Sequence, residues 1–476
     1  MTQVTRLLRS EWTKFRTVPG WVRAAAAAAL MIVLFPLTGL AGGAPEQRTT
    51  VPIGPHGEPV SDAYFFVHRP LAGDGSITVA VTAPSSTSPW AKAGLIVSAG
   101  DEPGARYAAI MMTAAHGVRM QHDYLHDRAA AAGGWLRLTR AGDTVTGEVS
   151  ADGASWSEVD SVRLAGLSGT VQVGLFVACP PLVDGIGTAG NTATATFSDP
   201  QLTGAWWPAA DWTGDQRGAG TATFAGYPSG TSGGFTASGD GFTVTGAGDL
   251  GPAPRNEVPV GATAADLLFG TFPALVVIVV MATQMITTEF RTRLIRTTFS
   301  ASPHRVRLLA AKAAVLAGVT FTVCLAATVI AVPLWLRVVR GLGLTVFPAT
   351  DGTLLRAEAG TAALLAVTAV FALAVGTVVR RGATAVTAVV VATVLPHLLA
   401  RTPFLPPPMA EWLATFTPAA AMAVQQTLTR YPQVDSVYTP ATGYYPLSPW
   451  AGLAVLCTYT ALTFALAVVL LRRRDA

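Results

Sequence analysis

Six stretches of the chain are apolar over a length that spans a bilayer as helix, and a long interval after the first of them is patterned differently. The apolar runs are Val22–Leu40, Leu267–Met285, Ala313–Leu334, Ala359–Val379, Ala383–Leu399 and Ala451–Leu471, each 17 to 22 residues long. At 1.5 Å per residue such helices cover roughly 25–33 Å, the thickness of a hydrocarbon core. Alanine, valine and threonine dominate them, which favours close helix packing. Ahead of the first run, residues 6–16 (Arg-Leu-Leu-Arg-Ser-Glu-Trp-Thr-Lys-Phe-Arg) are basic and amphipathic. A signal peptide competes as the reading of this start, since Leu40-Ala-Gly-Gly-Ala44 is rich in small residues. The run is longer than an ordinary signal-peptide core, so an uncleaved span is expected.

Between Gly43 and about Val260 no apolar run reaches spanning length. Gly, Pro, Ser, Thr and Asp are frequent there and the apolar positions alternate. Residues 76–82 and 144–150 alternate strictly, as half-buried strands do, whereas 171–177 is more continuously apolar, as a buried strand would be. Asp152-Gly153 predicts a hairpin turn between 144–150 and 156–159. Many short strands separated by turns predict a β-sandwich or jelly roll with its core at 60–203; the glycine-rich 204–260 reads as a looser β extension and a linker.

Charge then orients the chain. With six spans both ends lie on one side, and that side carries 16 of the 32 arginines and lysines, against five in the short loops opposite. The positive-inside rule therefore predicts cytoplasmic ends and an outer β domain. The outer interval 43–262 holds 20 acids and 11 bases, a net charge near −9, so the overall +4 belongs to the membrane part. Only 13% of residues are charged, about half the share in soluble proteins, which argues against one ordinary soluble enzyme. No basic block is interleaved with aromatics, so nucleic acid is not an expected partner. Cys179, Cys324 and Cys457 form no CxxC pair, and none of the three lysines (Lys14, Lys92, Lys312) follows a glycine, so the chain lacks a standard phosphate-binding P-loop. No acidic residue falls centrally in a span, which disfavours a proton-coupled carrier.

The connection 286–312 is the most informative stretch. Met285, Ile286, Phe290, Ile295 and Phe299 suit one helix face, and Glu289 and Arg293 stand at i,i+4. A basic interfacial helix that merely obeys the topology rules has the same pattern. Together with Leu8-Arg-Ser-Glu-Trp-Thr-Lys-Phe-Arg16, the segment Thr288-Glu-Phe-Arg-Thr-Arg-Leu-Ile-Arg-Thr-Thr298, followed by Pro303, Arg305 and Lys312, resembles the ABC-2 type permease subunits of ATP-binding cassette exporters, especially actinobacterial ones. The resemblance covers the two membrane parts, about half the chain. It implies that residues 1–20 form an amphipathic elbow helix with Leu8, Trp12 and Phe15 toward lipid. It further implies that 21–42 is the first transmembrane helix, 43–262 an extracytoplasmic insert and 263–476 a five-helix transmembrane domain. Glu289, Phe290, Arg291 and Arg293 would be the coupling-helix contacts to a separate cytoplasmic ATPase. A second permease subunit, identical or related, would complete the pathway in the cell membrane.

In the outer interval, Trp135-Leu-Arg-Leu-Thr-Arg-Ala-Gly-Asp143, residues 145–156, Trp90–Val97 and Val171–Phe176 resemble concanavalin- and laminin-G-like β-sandwiches, whose members often bind or accompany carbohydrate. Trp135 and Trp156 sit at strand positions and read as core rather than as sugar platforms. His122, Asp123 and His126, with His116 and Asp127 nearby, form the one histidine cluster. On a single strand His122 and His126 would share a face, making them the candidate ligand face of the outer domain. A metal there, or a glycosidase pair at Asp123 and Asp127, is the sharper and less favoured reading; surface histidines are the plain one. The expectation is thus a six-helix membrane protein with an all-β insert, a permease subunit with no catalytic residue, cofactor or metal of its own. The alternative is a membrane-anchored glycan-binding or sensor protein.

Overall fold

In a computed structural model of the chain, the structure describes residues 3–40, 51–167, 169–184, 187–207, 211–221, 224, 233–255, 258, 261–292, 305–402, 404–434 and 436–473. The chain divides into two compact units. One comprises Met1–Pro45, Val260–Thr429 and Tyr438–Ala476; the other comprises Glu46–Pro259 and Arg430–Val437.

The first unit is helical. Its elements are α1 (Gln3–Thr17), α2 (Pro19–Leu34), α3 (Leu37–Leu40), α4 (Ala264–Leu267), α5 (Thr271–Arg291), α6 (Arg305–Gly341), α7 (Asp351–Val379), α8 (Gly382–Ala400), α9 (Pro407–Phe416) and α10 (Pro449–Arg473). Five of these, α5, α6, α7, α8 and α10, are long and apolar enough to cross a membrane, and a sixth candidate exists if the pair α1–α2, bent by 78°, is taken as one. The first apolar run differs from its sequence reading. Pro36 supplies no amide to continue the ladder, so α2 ends at Leu34 after 16 residues and the chain restarts at Leu37.

Small residues let these helices approach closely. A Cβ on Gly452 of α10 would run into the carbonyl of Ala420, and one on Gly360 of α7 would press Val424. Ala420 and Val424 belong to a 3-10 segment, Pro418–Gln425, buried throughout and packed against α7, α8, α9 and α10. Threonines are tolerated inside because they bond their own helix. Thr283 donates to Val279 O, Thr368 to Leu364 O, Thr377 to Leu373 O and Thr393 to Val389 O, each at 2.8 Å. Where a carbonyl or amide lacks such a partner, another element supplies it. Trp335 Nε1 donates to Val33 O at 2.8 Å, and Gln425 Nε2 to Thr271 Oγ1 at 3.1 Å and Thr361 Oγ1 at 3.2 Å.

The second unit is a β-sandwich with barrel-like closure. Its strands are β1 (Val60–Asp62), β2 (Phe65–Val81), β3 (Lys92–Ser98), β4 (Tyr107–Thr113), β5 (Val118–His122), β6 (His126–Ala129), β7 (Trp135–Ala141), β8 (Thr144–Ser150), β9 (Ser157–Arg163), β10 (Val171–Ala178), β11 (Leu182–Asp184), β12 (Gly187–Ala189), β13 (Ala193–Trp206), β14 (Thr213–Gln216), β15 (Gly234–Ser238), β16 (Gly241–Gly246) and β17 (Leu250–Pro252). The main path runs β15-β16-β13-β2-β10-β3-β4-β5-β6, all antiparallel neighbours, and β2 also pairs β7, which leads to β8 and β9. The 17-residue β2 thus serves both layers: Phe65–Leu71 pairs β10 and Gly75–Ala80 pairs β7. Between the layers lie Leu95, Val97, Ile110 and Met120 from one side and Leu136, Leu138, Val145 and Val149 from the other.

The continuously apolar β10 is explained by a second core on its other face, where Phe176 and Ala178 join Tyr64, Phe66, Ile96, Tyr107 and Leu250. Its Gly174 is required by close approach, since a Cβ there would overlap the carbonyl of Val67 on β2. The glycine-rich extension is more than a loose appendage. Strand β16 pairs β13 from Ala193↔Gly246 to Ser198↔Gly241, and Val244 and Leu250 are fully buried, so the sandwich continues to residue 252.

Candidate functional site

The site expected on the connection 286–312 is built around four charges. Glu11 projects from α1, Glu289 from the last turns of α5 and Lys312 from the second turn of α6; Glu11, Glu289 and Lys312 are all buried. Lys312 Nζ lies 2.9 Å from Glu11 Oε2 and 2.7 Å from Glu289 Oε1. The more exposed Lys14 Nζ lies 2.7 Å from Glu11 Oε1 and 3.9 Å from Glu289. Two acids and two bases cancel, which is the condition under which charges remain buried. A compact ammonium can bridge two carboxylates with three donors, so lysine suits this position better than a planar guanidinium. The cluster fastens α1 to both ends of the connection between α5 and α6.

The expected contact residues are placed differently from one another. Glu289 is turned into the cluster, where Lys312 is its partner, and it is buried. Arg293 lies outside the described residues, as do residues 294–304 of the connection. Arg291 is exposed, and Phe290 is half-buried beneath the Arg380 guanidinium, 4.8 Å from its ring centroid. On α1, Trp12 is 46% exposed and Leu8 half-buried, but Phe15 is buried at 4% and stacks on Trp21 of α2, so it faces protein. Leu8, Trp12 and Phe15 fall on one amphipathic stripe, and the stripe alone does not separate a lipid-facing edge from a protein-facing one.

In the β unit, His122 and His126 do share a face, by a different route. They end and begin neighbouring strands and pair directly across a tight turn, with rings stacked at 4.3 Å. Asp123 and Tyr124 form that turn in left-handed conformation, with φ of 47° and 62°. Burial, and the neighbouring His126, lower the pKa of His122. Asp123 is directed to Arg106 Nη1 at 3.4 Å, and Asp127 is held by Arg119 and by Gln121 Nε2 at 2.8 Å. Each acid of the would-be glycosidase pair therefore has its own cation. Among the described residues no three His, Cys, Asp or Glu side chains converge as a metal would require. The turn also receives the second segment of this unit, since Gln433 Nε2 donates to Leu125 O at 3.2 Å.

Trp156 carries the Arg137 guanidinium 3.8 Å over its ring, and Gly153, with φ of +76°, packs against Trp135. Both indoles are half-buried with a ring face already occupied. The hairpin joining 144–150 to the next strand is present at Asp152-Gly153, where Asp152 Oδ1 accepts from the amides of Ala154 and Ser155 at 2.9 and 2.8 Å. These hydrogen bonds pull the Asp152 carboxyl down to about 2.

Asp62, at the rim of the second core, behaves oppositely. Burial raises its pKa, although Gly104 N donates to Oδ2 at 2.8 Å. A carboxyl whose folded pKa is raised favours folding most below its unfolded pKa, and that contribution is lost as pH rises through the folded value. Asp62→Asn should therefore make the β unit less sensitive to pH above about 4 and at least as stable at neutral pH. Thermal melts of the full chain across that range would show it; a variant with the wild-type pH slope would contradict it.

Two of the interior charges were legible only indirectly. The chain has 32 basic residues and three lysines, and the structure places all three against carboxylates: Lys14 and Lys312 in the helical cluster, and Lys92 on Asp249 at 2.6 Å. Two of them, Lys92 and Lys312, are buried ammoniums, while Lys14 stays half-exposed.

No protein-family model matches the chain, and no curated protein does. Solved structures similar to part of it include a functionally unknown protein from Saccharomyces cerevisiae, 19% identical over 33% of this chain and 83% of that one, with a TM-score of 0.23. Scytalido-glutamic peptidase with a transition state analog inhibitor is 10% identical over 39% of this chain and 98% of its own, with a TM-score of 0.26. SCP-B, of the eqolisin family of peptidases, in complex with the tripeptide Ala-Ile-His, gives the same identity, coverages and score. At these scores the likenesses transfer neither fold nor activity to this chain.

Proposed function

We propose that the chain is the membrane-spanning permease subunit of an ABC-2 type exporter, energised by a separate cytoplasmic ATPase and paired with a second permease subunit. The observation that carries this reading is the buried cluster Glu11–Lys312–Glu289 with Lys14. A permease moved from outside needs its docking segment joined stiffly to the helices it must tilt. Here the amphipathic α1, the end of α5 and the start of α6 are tied by one neutral set of charges, while α1 meets α2 at 78° as a helix lying along a membrane would. The concentration of arginine and lysine at these ends supports placing them at the cytoplasmic face. The six-span topology, counting α2 as the first span, and the extracytoplasmic position of the β unit belong to this proposal.

With Glu289 committed to Lys312, the docking contact passes to the exposed Arg291. Arg291→Glu should reduce ATPase recovered with the tagged chain about tenfold or more, because it reverses the charge at the proposed contact and leaves the buried cluster untouched. Quantitative co-purification checks this. Unchanged ATPase recovery, with the variant folded as the wild type, would overturn the docking assignment.

A further inference from the structure

A groove of about 1150 Å³ opens between the last three turns of α5 and the first turns of α8. Arg291, Arg380 and Arg381 line it, and among the described residues none of its lining is acidic. The nearest carboxylate in sequence, Glu289, is engaged by Lys312. The geometry that gathers these arginines is local. Arg380 ends α7 in left-handed conformation, φ 58°, so the chain reverses within two residues and α8 begins at Gly382. Arg381 is the N-cap of α8 and caps it with no side-chain hydrogen bond, leaving the first amides of a 19-residue helix directed at the same space.

Two of its hydroxyls are committed. The hydroxyls of Thr287 and Thr288 are spent on Thr283 O and Gln284 O, at 2.9 and 2.6 Å. The groove also has Gln284, and toward its far end Val280 and Val386 make it apolar. From Arg291 to Val280 is roughly 16 Å along α5 at 1.5 Å per residue. Charge at one end and hydrocarbon at the other suit a molecule with both. Guanidinium groups select planar or tetrahedral oxyanions by paired N–H donors.

We infer that this groove binds the anionic headgroup of an amphiphile, a phosphate or carboxylate carrying an apolar chain. The inference rests on the permease reading only for its meaning, since there the ligand would be the transported molecule or one like it, entering from the inner leaflet; binding itself requires no ATPase.

The full-length chain in nanodiscs provides the test, with phosphatidylglycerol and phosphatidylcholine as probes, retention read by native mass spectrometry, and inorganic phosphate as competitor. Phosphatidylglycerol should be retained about tenfold over phosphatidylcholine, and R291Q/R381Q should remove that preference, a loss expected for one or two charge-assisted hydrogen bonds. R291K/R381K, which keeps charge but loses the planar fork, should fall between and guards against misfolding of the first variant. Equal retention of the two lipids, or an unchanged preference in R291Q/R381Q, overturns the inference. Displacement of phosphatidylglycerol by millimolar inorganic phosphate would show a site for free anions and also overturn it. Failure here with ATPase docking intact leaves the permease standing, and the converse result leaves the groove standing.

Discussion

Lys312→Met should destabilise the helical unit by about 3–5 kcal/mol, the cost of leaving buried carboxylates without their cation. Lys312 is 1% exposed and bridges Glu11 and Glu289, so its removal leaves two acids facing each other with only the half-exposed Lys14 beside them. The loss should appear as a lower melting temperature in detergent and as poor ATPase recovery, because α1 comes away from α5 and α6. Methionine matches lysine in length and apolar volume, which isolates the charge. The triple variant E11Q/E289Q/K312M removes both orphaned charges and should regain most of the stability, since a whole buried ion set is often replaceable by neutral groups. A K312M chain within about 1 kcal/mol of wild type would show that the cluster is incidental.

In the β unit the corresponding prediction is Lys92→Met. Lys92 is fully buried, and its ammonium reaches Asp249 Oδ1 at 2.6 Å and Leu250 O at 2.5 Å. It lies on β3, while Asp249 and Leu250 lead into β17, which pairs β1. One side chain therefore pins the β1–β17 ribbon over the second core. Loss of about 3–5 kcal/mol is expected, concentrated in that ribbon. Hydrogen exchange should quicken at 60–62 and 250–251 before it does at β8. The pair K92M/D249N should recover part of the loss, because Asp249 also accepts from Leu250 N at 2.7 Å and an amide oxygen can keep that bond. Uniform exchange across the sandwich, or no change in stability, would contradict the assignment.

How much of this could be read beforehand differs from element to element. Alternation at 144–150 gave β8 with its Val145 and Val149 inward, and the Asp-Gly turn gave the hairpin, because both signals are local. The apolar run at 171–177 became β10, buried on both faces. Strand β16 also alternates, Phe242 and Val244 inward, but its flanking glycines and threonines hide a strand inside a composition typical of linkers. Residues 404–425, between two apolar runs, include α9 and the buried 3-10 segment, whose burial depends on Gly360 and Gly452 on helices distant in sequence. The long apolar helices α5, α6, α7, α8 and α10 were legible from length and apolarity alone.

The site divides in the same way. Glu289 and Arg291 could be picked out as charged residues on an amphipathic connection, but which of them faces outward is a tertiary fact. Glu11 drew no notice, because an acid in a basic amphipathic helix looks solvated until Lys312, 301 positions later, is brought beside it. His122 and His126 were expected on one strand and meet instead across a turn, since two left-handed residues reverse the chain between them.

The central claim is that this chain transmits force from a separate ATPase rather than acting alone at the membrane. Its most direct test is to purify the tagged full chain from its own membrane in mild detergent and measure whether a P-loop ATPase accompanies it at one copy per chain. The account predicts an equimolar ATPase whose recovery falls at least tenfold in both Arg291→Glu and Lys312→Met, with glycan binding by the β unit irrelevant to it. Recovery of the folded chain with no ATPase at any comparable amount, together with saturable glycan binding by the same preparation, would contradict the account and favour the anchored glycan-binding protein.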